Sequence, residues 1–205
     1  MVAVDATCSG LQILAGLARD RSTAELVNVV PNSKPSDAYK AVADKAKEFL
    51  PSYMHHWMDR SVCKRTVMTI PYNATKDSSR KYIREALLEK KIDPTTDELT
   101  QVVNAVYQSM DSIVPGPMQV MRWIKKHVGL YIRNGAKEVQ WVTPSGFIVN
   151  QRRDNIETKQ MELQLLGRTQ VRLPTGKSTP SPTKHKSSTA PNYIHSFDAS
   201  ILHRS

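Results

Sequence analysis

The 205 residues carry 29 Lys and Arg against 19 Asp and Glu, a formal net charge of +10 with a sequence pI near 9.7, which favours phosphate backbones through counterion release and also attracts anionic membranes. With no apolar run of the ~18 residues needed to cross a bilayer, no signal peptide and no lipidation motif, the chain reads as a soluble cytoplasmic protein. Two cysteines and six scattered histidines exclude a zinc-ligand spacing, and no disulfide is expected.

The length suits one sizeable core or two small ones. Val2-Ala-Val4 reads as a short apolar strand that runs into Asp5-Ala-Thr-Cys-Ser-Gly10-Leu-Gln12, and Leu11, Leu14, Ala15 and Leu17 then predict a helix. A carboxylate at the exit of a buried strand is where an α/β or α+β enzyme holds magnesium; taken alone, Asp5 serves equally as an N-cap. Ser36 is placed to cap a helix over about 37 to 50, with Tyr39, Val42, Ala43, Ala46, Phe49 and Leu50 inward, ending at Pro51.

Arg60, Lys64, Met68 and Tyr72 recur every four residues and so share one slowly drifting helix face. Two cations one turn apart can grip a triphosphate, and a phenol ring at the end of the line can stack under a base. The competing reading is an amphipathic helix with a solvated basic face. Pro71 should kink or end this helix just before Tyr72.

Thr95 and Glu98 form a capping box for a helix over about 97 to 113, striped by Leu99, Val102, Val103, Val106, Tyr107 and Met110. Gly116-Pro117 starts another, to about Asn134, stopped by Gly135. Its Trp123, Lys125, Lys126 and Arg133 suit either nucleic acid or solvent. Beyond Gly135 the period becomes two: Val139, Trp141 and Thr143, then Phe147 and Val149, predict a β-hairpin around the turn Thr143-Pro-Ser-Gly146. Strand-like stretches continue from about 151 to 173. Pro174 to Ser188, rich in Thr, Ser, Pro and Lys, reads as a mobile loop. Ala190-Pro-Asn192-Tyr-Ile-His195-Ser-Phe-Asp198-Ala adds a third polar cluster at an expected helix start.

The order and wording of these clusters resemble the phage-type, single-subunit DNA-directed RNA polymerases, a family that includes the mitochondrial enzymes. The likeness runs over nearly the whole chain. Asp5 to Gln12 is similar to that family's motif A and Arg60 to Tyr72 to its motif B, while Trp141 to Phe147 and Ala190 to Ser196 resemble the stretch leading to motif C. The resemblance implies an α+β, mostly helical fold: part of a palm over 1–35, helical fingers over 36–135, a β-hairpin region over 136–190 resembling the promoter specificity loop, and the lead-in to motif C over 191–205. It implies a DNA template and promoter, an RNA product, ribonucleoside triphosphates and a viral setting in the host cytoplasm.

By the same resemblance, Asp5 is one of two aspartates holding a pair of Mg2+ ions, one activating the 3′-hydroxyl and one neutralising the triphosphate, with the Ala6 carbonyl on the metal. Arg60 and Lys64 bind the phosphates, Lys64 also protonating the leaving pyrophosphate; Tyr72 sits by the ribose and template base, and His195 meets the minor-groove side of the new pair. The hairpin implies Arg168, Gln170 and Arg172 as DNA contacts, which alternation would present on one face; a solvated edge hairpin is the alternative. Related DNA polymerases place a bulky glutamate five residues after the motif A aspartate, where this chain has Gly10, leaving room for a 2′-hydroxyl that Tyr72 can help to bind.

The chain departs from the family pattern at Ala6 (Gly), Ile13 (His) and Asn73 (Gly), the last a residue that tolerates positive φ. The His-Asp-Ser segment with the second metal-binding aspartate does not occur, and Asp198 belongs to the preceding helix. The expectation is a polymerase catalytic segment, inactive alone until that carboxylate is supplied. The alternative is a non-catalytic, basic nucleic-acid-binding remnant.

Overall fold

The computed structural model describes residues 8–163 and 169–204. The expected strand at Val2–Val4 lies outside them, as do Asp5, Ala6 and Arg168. The architecture is α+β and mostly helical, and among the described residues the strands lie in the C-terminal third.

Helices α1 (Ser9–Ala18) and α2 (Arg21–Leu26) are separated by Asp20, whose carboxylate caps α2 by accepting from Thr23 N. Helix α3 (Ala38–Lys47) is capped not by Ser36, as expected, but by Asp37, which accepts from the amides of Tyr39 and Lys40. Ser36 instead exchanges two backbone hydrogen bonds with the Asn28 side chain, so its position is fixed by a turn and not by the helix. A 3-10 segment, Ser52–Trp57, leads to α4 (Arg60–Thr69), capped by Asp59. Helix α4 stops where Pro71 removes a helical amide: Ile70–Tyr72 tightens into a single 3-10 turn closed by Asn73 at φ +66°.

Helix α5 (Lys76–Glu89) is not expected from the sequence; Thr75 caps it, and only Ser79, Ile83 and Leu87 are buried on it. Helix α6 (Thr96–Ile113) begins with the Thr95/Glu98 capping box, both halves formed. Helix α7 (Pro115–Arg133) follows, and Gly135 at φ +98° turns the chain away.

The main core is built by α1 to α6: Leu11, Val42, Met54, Met58, Val62, Val67, Ile83, Leu87, Val102, Val106 and Met110 are all buried in it. Burying such side chains at roughly 1.5–3 kcal/mol each outweighs any local propensity in these short helices. A smaller cluster of Leu14, Met121 and Ile194 joins α1 to α7 and the last helix, with Ile13 and Tyr72 packed at its edge.

Strands β1 (Val139–Val142) and β2 (Ile148–Gln151) form the expected hairpin, Gly146 N donating to Thr143 O at 2.8 Å to close the turn. A second antiparallel ribbon pairs β3 (Asp154–Leu163) with β4 (Thr169–Pro180), with a register shift between Ile156 and Thr158. The expected loop at Pro174–Ser188 is therefore replaced. Its first half completes β4 and its second half opens helix α8 (Pro182–Arg204), so Ala190-Pro-Asn192 lies inside a helix and not at its start. Helix α8 packs on α7 and on the first hairpin, to which it is tied by polar contacts: Trp141 Nε1 to Ser196 Oγ at 2.9 Å, Ser145 N to Ser200 Oγ at 2.8 Å, and Gln151 Nε2 to Thr189 Oγ1 at 2.7 Å. Buried His185 anchors its first turn, Nε2 accepting from Arg153 N, which leaves Nδ1 to donate to Ser181 O.

Candidate functional site

Three of the residues singled out in the sequence converge from distant parts of the chain. Gly10 is buried in the first turn of α1, Tyr72 ends the 3-10 turn after α4, and His195 stands on α8. The Tyr72 and His195 rings are stacked, with centroids 4.7 Å apart and planes 17° from parallel. A β-carbon on Gly10 would lie 2.9 Å from Pro71 Cβ and 3.3 Å from both Tyr72 Cζ and Oη. The absent side chain thus gives the phenol its seat.

Tyr72 Oη lies 3.2 Å from Ser9 Oγ, and Ser9 Oγ lies 3.2 Å from Asp198 Oδ2. A carboxylate only accepts, so the single Ser9 hydroxyl hydrogen points at Asp198 and the phenol donates to Ser9. Burial raises the Tyr72 phenol above the usual tyrosine range; the Ser9 hydrogen bond opposes this and the Asp198 charge adds to it. The sequence gives no signal for Ser9 and places Asp198 only on the preceding helix, although Asp198 follows His195 at a spacing that shares a helix face.

Arg60, Lys64 and Met68 follow one another along exposed positions of α4, spread over about 12 Å of axis. The line expected to include Tyr72 is bent at Pro71, which turns the phenol toward α1 and α8. Arg60 Nε donates to Asp37 Oδ2 at 2.6 Å, and its guanidinium lies 5.2 Å from the Tyr39 ring centroid. Burial works against ionised Asp37, yet Arg60 and the amides of Lys40 and Tyr39 hold its carboxyl below the usual range. Lys64 is exposed and has no ion pair among the described residues. Cys8 and Cys63, inside the two motifs, are buried free thiols; burial pushes Cys63 up to about 12, so neither is poised as a nucleophile.

Asp5 and Ala6 lie outside the described residues, and among the described ones no group of three or more His, Cys, Asp or Glu could hold a metal ion. Gln170 and Arg172 are exposed on β4 and, two residues apart, share a face of the ribbon; Gln170 is engaged by Gln160. The contact expected of Arg168 falls outside the described residues. No described helix is long and apolar enough to cross a membrane.

A family model for DNA-dependent RNA polymerase matches residues 1–205. The chain belongs to the phage-type, single-subunit RNA polymerases. It is similar to the mitochondrial DNA-directed RNA polymerase of Mus musculus, 29% identical over 211 residues, covering 97% of this chain and 17% of that enzyme. The mitochondrial enzyme of Schizosaccharomyces pombe is 30% identical over 227 residues, covering 97% of the chain and 19% of the enzyme. T7 RNA polymerase of Escherichia phage T7 is 26% identical over 261 residues, covering 99% and 29%. This chain therefore spans under a third of the length of these relatives. The T7 alignment is also longer than the chain itself, so that relative carries insertions here that this chain lacks.

Proposed function

We propose that this chain is the fingers and part of the palm of a right-hand RNA polymerase, contributing to template-directed transfer of ribonucleotides onto the 3′ end of RNA on a DNA template. The observation that carries the reading is the meeting of Gly10, Tyr72 and His195: motif A, motif B and the lead-in to motif C, far apart in sequence, close on one point. A bare glycine, a phenol and an imidazole suit a ribose and its base pair, and a glutamate at position 10 would fill the same space.

In this reading Lys64 and Arg60 hold the triphosphate from α4, with Lys64 as the proton donor to pyrophosphate. Arg60 reaches phosphate by leaving Asp37, an exposed pair whose loss costs at most about 1 kcal/mol. Tyr72 and His195 orient the nucleoside, and Arg168, Gln170 and Arg172 present polar groups to promoter DNA. The Asp5 carboxylate and Ala6 carbonyl would hold magnesium. When bound, the metal would activate the 3′-hydroxyl and offset charge on the phosphates. A single carboxylate is a poor cage for two such ions, so turnover requires the second aspartate from the remainder of the polymerase.

The test is protection of the chain from heat or proteolysis by a ribonucleoside triphosphate with magnesium. Protection in the parent that Arg60→Ala and Lys64→Ala abolish supports the phosphate grip. Equal binding by the double variant overturns that assignment. A parent that binds DNA but no triphosphate is the basic, non-catalytic remnant.

A further inference from the structure

Helix α8 contains Pro191, which has no amide to give to the carbonyl four residues back, that of Ser187. That carbonyl is not left bare. Asn73 Nδ2 donates to Ser187 O at 2.9 Å from across the site. Asn73 follows Tyr72 directly and takes the left-handed conformation that ends the 3-10 turn, so the backbone that aims the phenol is tied to α8 by a side chain. One and two turns further along α8, His195 stacks on the Tyr72 ring and Asp198 receives the hydroxyl of Ser9, which in turn accepts the phenol's hydrogen.

We propose that Asn73 and Asp198 are positioning residues that clasp Tyr72 to α8, fixing the phenol over Gly10 and thereby setting how strongly the site prefers ribonucleotides. This rests on the proposed nucleotide site for its consequence, though not for its geometry. A glycine at position 73 could make the same turn but could not make the tether. In this chain, movement of Tyr72 away from Gly10 has to break the Asn73–Ser187 bond, uncovering a carbonyl that Pro191 leaves without a helical partner. Asp198 acts through Ser9, so it influences where the phenol sits without touching substrate.

The experiment has two readouts. Carbon-13 labelled tyrosine in the 205-residue chain reports the Tyr72 ring, whose resonance the stacked imidazole is expected to shift. Asn73→Gly keeps the turn and removes the tether; Asp198→Asn keeps the shape and removes the carboxylate. Loss of the ring shift in either variant, with an unchanged circular dichroism spectrum, supports the clasp. Unaltered Tyr72 signals in both overturn it, whether or not the parent binds triphosphate. Should Asn73→Gly fail to fold, Asn73→Asp, which sets a carboxylate oxygen against Ser187 O, provides the same reading. In the chain complemented by the rest of the polymerase, each variant is expected to lower the ribo-to-deoxyribonucleotide preference by about 2- to 10-fold, the range of one net hydrogen bond, chiefly through KM. A released Tyr72 with an unchanged preference overturns the positioning role while leaving the nucleotide site itself standing.

Discussion

The phenol of Tyr72 sits against the one position of α1's first turn that has no side chain: a β-carbon on Gly10 would lie 3.3 Å from Tyr72 Oη. Two residues more than sixty positions apart are thereby made one surface. Their fit depends on a missing atom, so it is sensitive to the smallest possible addition.

Gly10→Ala is accordingly expected to move Tyr72. The new methyl would be 2.9 Å from Pro71 Cβ, a ring atom that cannot swing aside, so the 3-10 turn must shift. The expected cost is about 1–3 kcal/mol of stability, typical of overpacking, and loss of the Tyr72–His195 stack. Urea denaturation measures the first and the Tyr72 ring resonance the second. An unchanged midpoint would mean that the turn yields freely.

Asp37 divides its carboxylate between two tasks: Oδ1 caps α3 through Tyr39 N and Lys40 N, and Oδ2 holds Arg60. Asp37→Asn preserves the cap, since Asn ranks with Asp there, but surrenders the charge that, in the proposed site, would compete with phosphate for Arg60. Triphosphate affinity should rise about 2- to 5-fold with little change in melting temperature, as befits an exposed pair. Fluorescence titration with a labelled nucleotide checks it; an affinity that falls would show that Asp37 orients Arg60 for binding.

The parts legible in the sequence are those where one local rule dominated. The Thr95/Glu98 box, the stop at Gly135, the turn at Thr143–Gly146 and the break at Pro71 each rest on a few adjacent residues. Helix α8 is not legible in the sequence because its buried residues include His185, Thr189 and Ser200, whose polar partners lie far along the chain, and because Pro191 normally marks an end. Beyond Leu173, strand β4 is not legible in the sequence because its residues are nearly all exposed, so no alternation betrays it. Of the converging side chains, the family resemblance singles out Gly10, Tyr72 and His195; it does not single out Ser9 or Asp198, since a hydrogen-bonded chain needs tertiary structure to bring its members together.

Thr66 is fully buried in α4, and its Oγ1 has no hydrogen-bond partner among the described residues. Thr66→Val keeps the shape and removes a desolvated hydroxyl, so stability should rise by about 1 kcal/mol. Thermal melting tests this directly. A loss of stability instead would indicate that an ordered water serves the hydroxyl.

Acid should loosen the helices through two carboxylates that link elements. Asp20 joins α2 to the start of α7 by accepting from Thr23 and from Gly116 N at 3.1 Å; Asp59 caps α4 and pairs with Lys90 on the α5 side. Burial opposes ionisation at both, but hydrogen bonds from Thr23, Ser22 and Gly116 at Asp20, and from Lys90, Ser61 and Val62 at Asp59, bring each to about 2 from an ordinary 3.8. Because the folded values are depressed, the stabilisation is fully present above about pH 4 and is lost as pH falls from 3.8 toward 2. Each contributes about 1 kcal/mol once solvent screening discounts the shift. In urea melts at pH 6, 4 and 3, Asp20→Asn and Asp59→Asn should each be less stable than the parent at pH 6 and lose less on acidification. If both variants track the parent to pH 3, the acid sensitivity belongs to other groups.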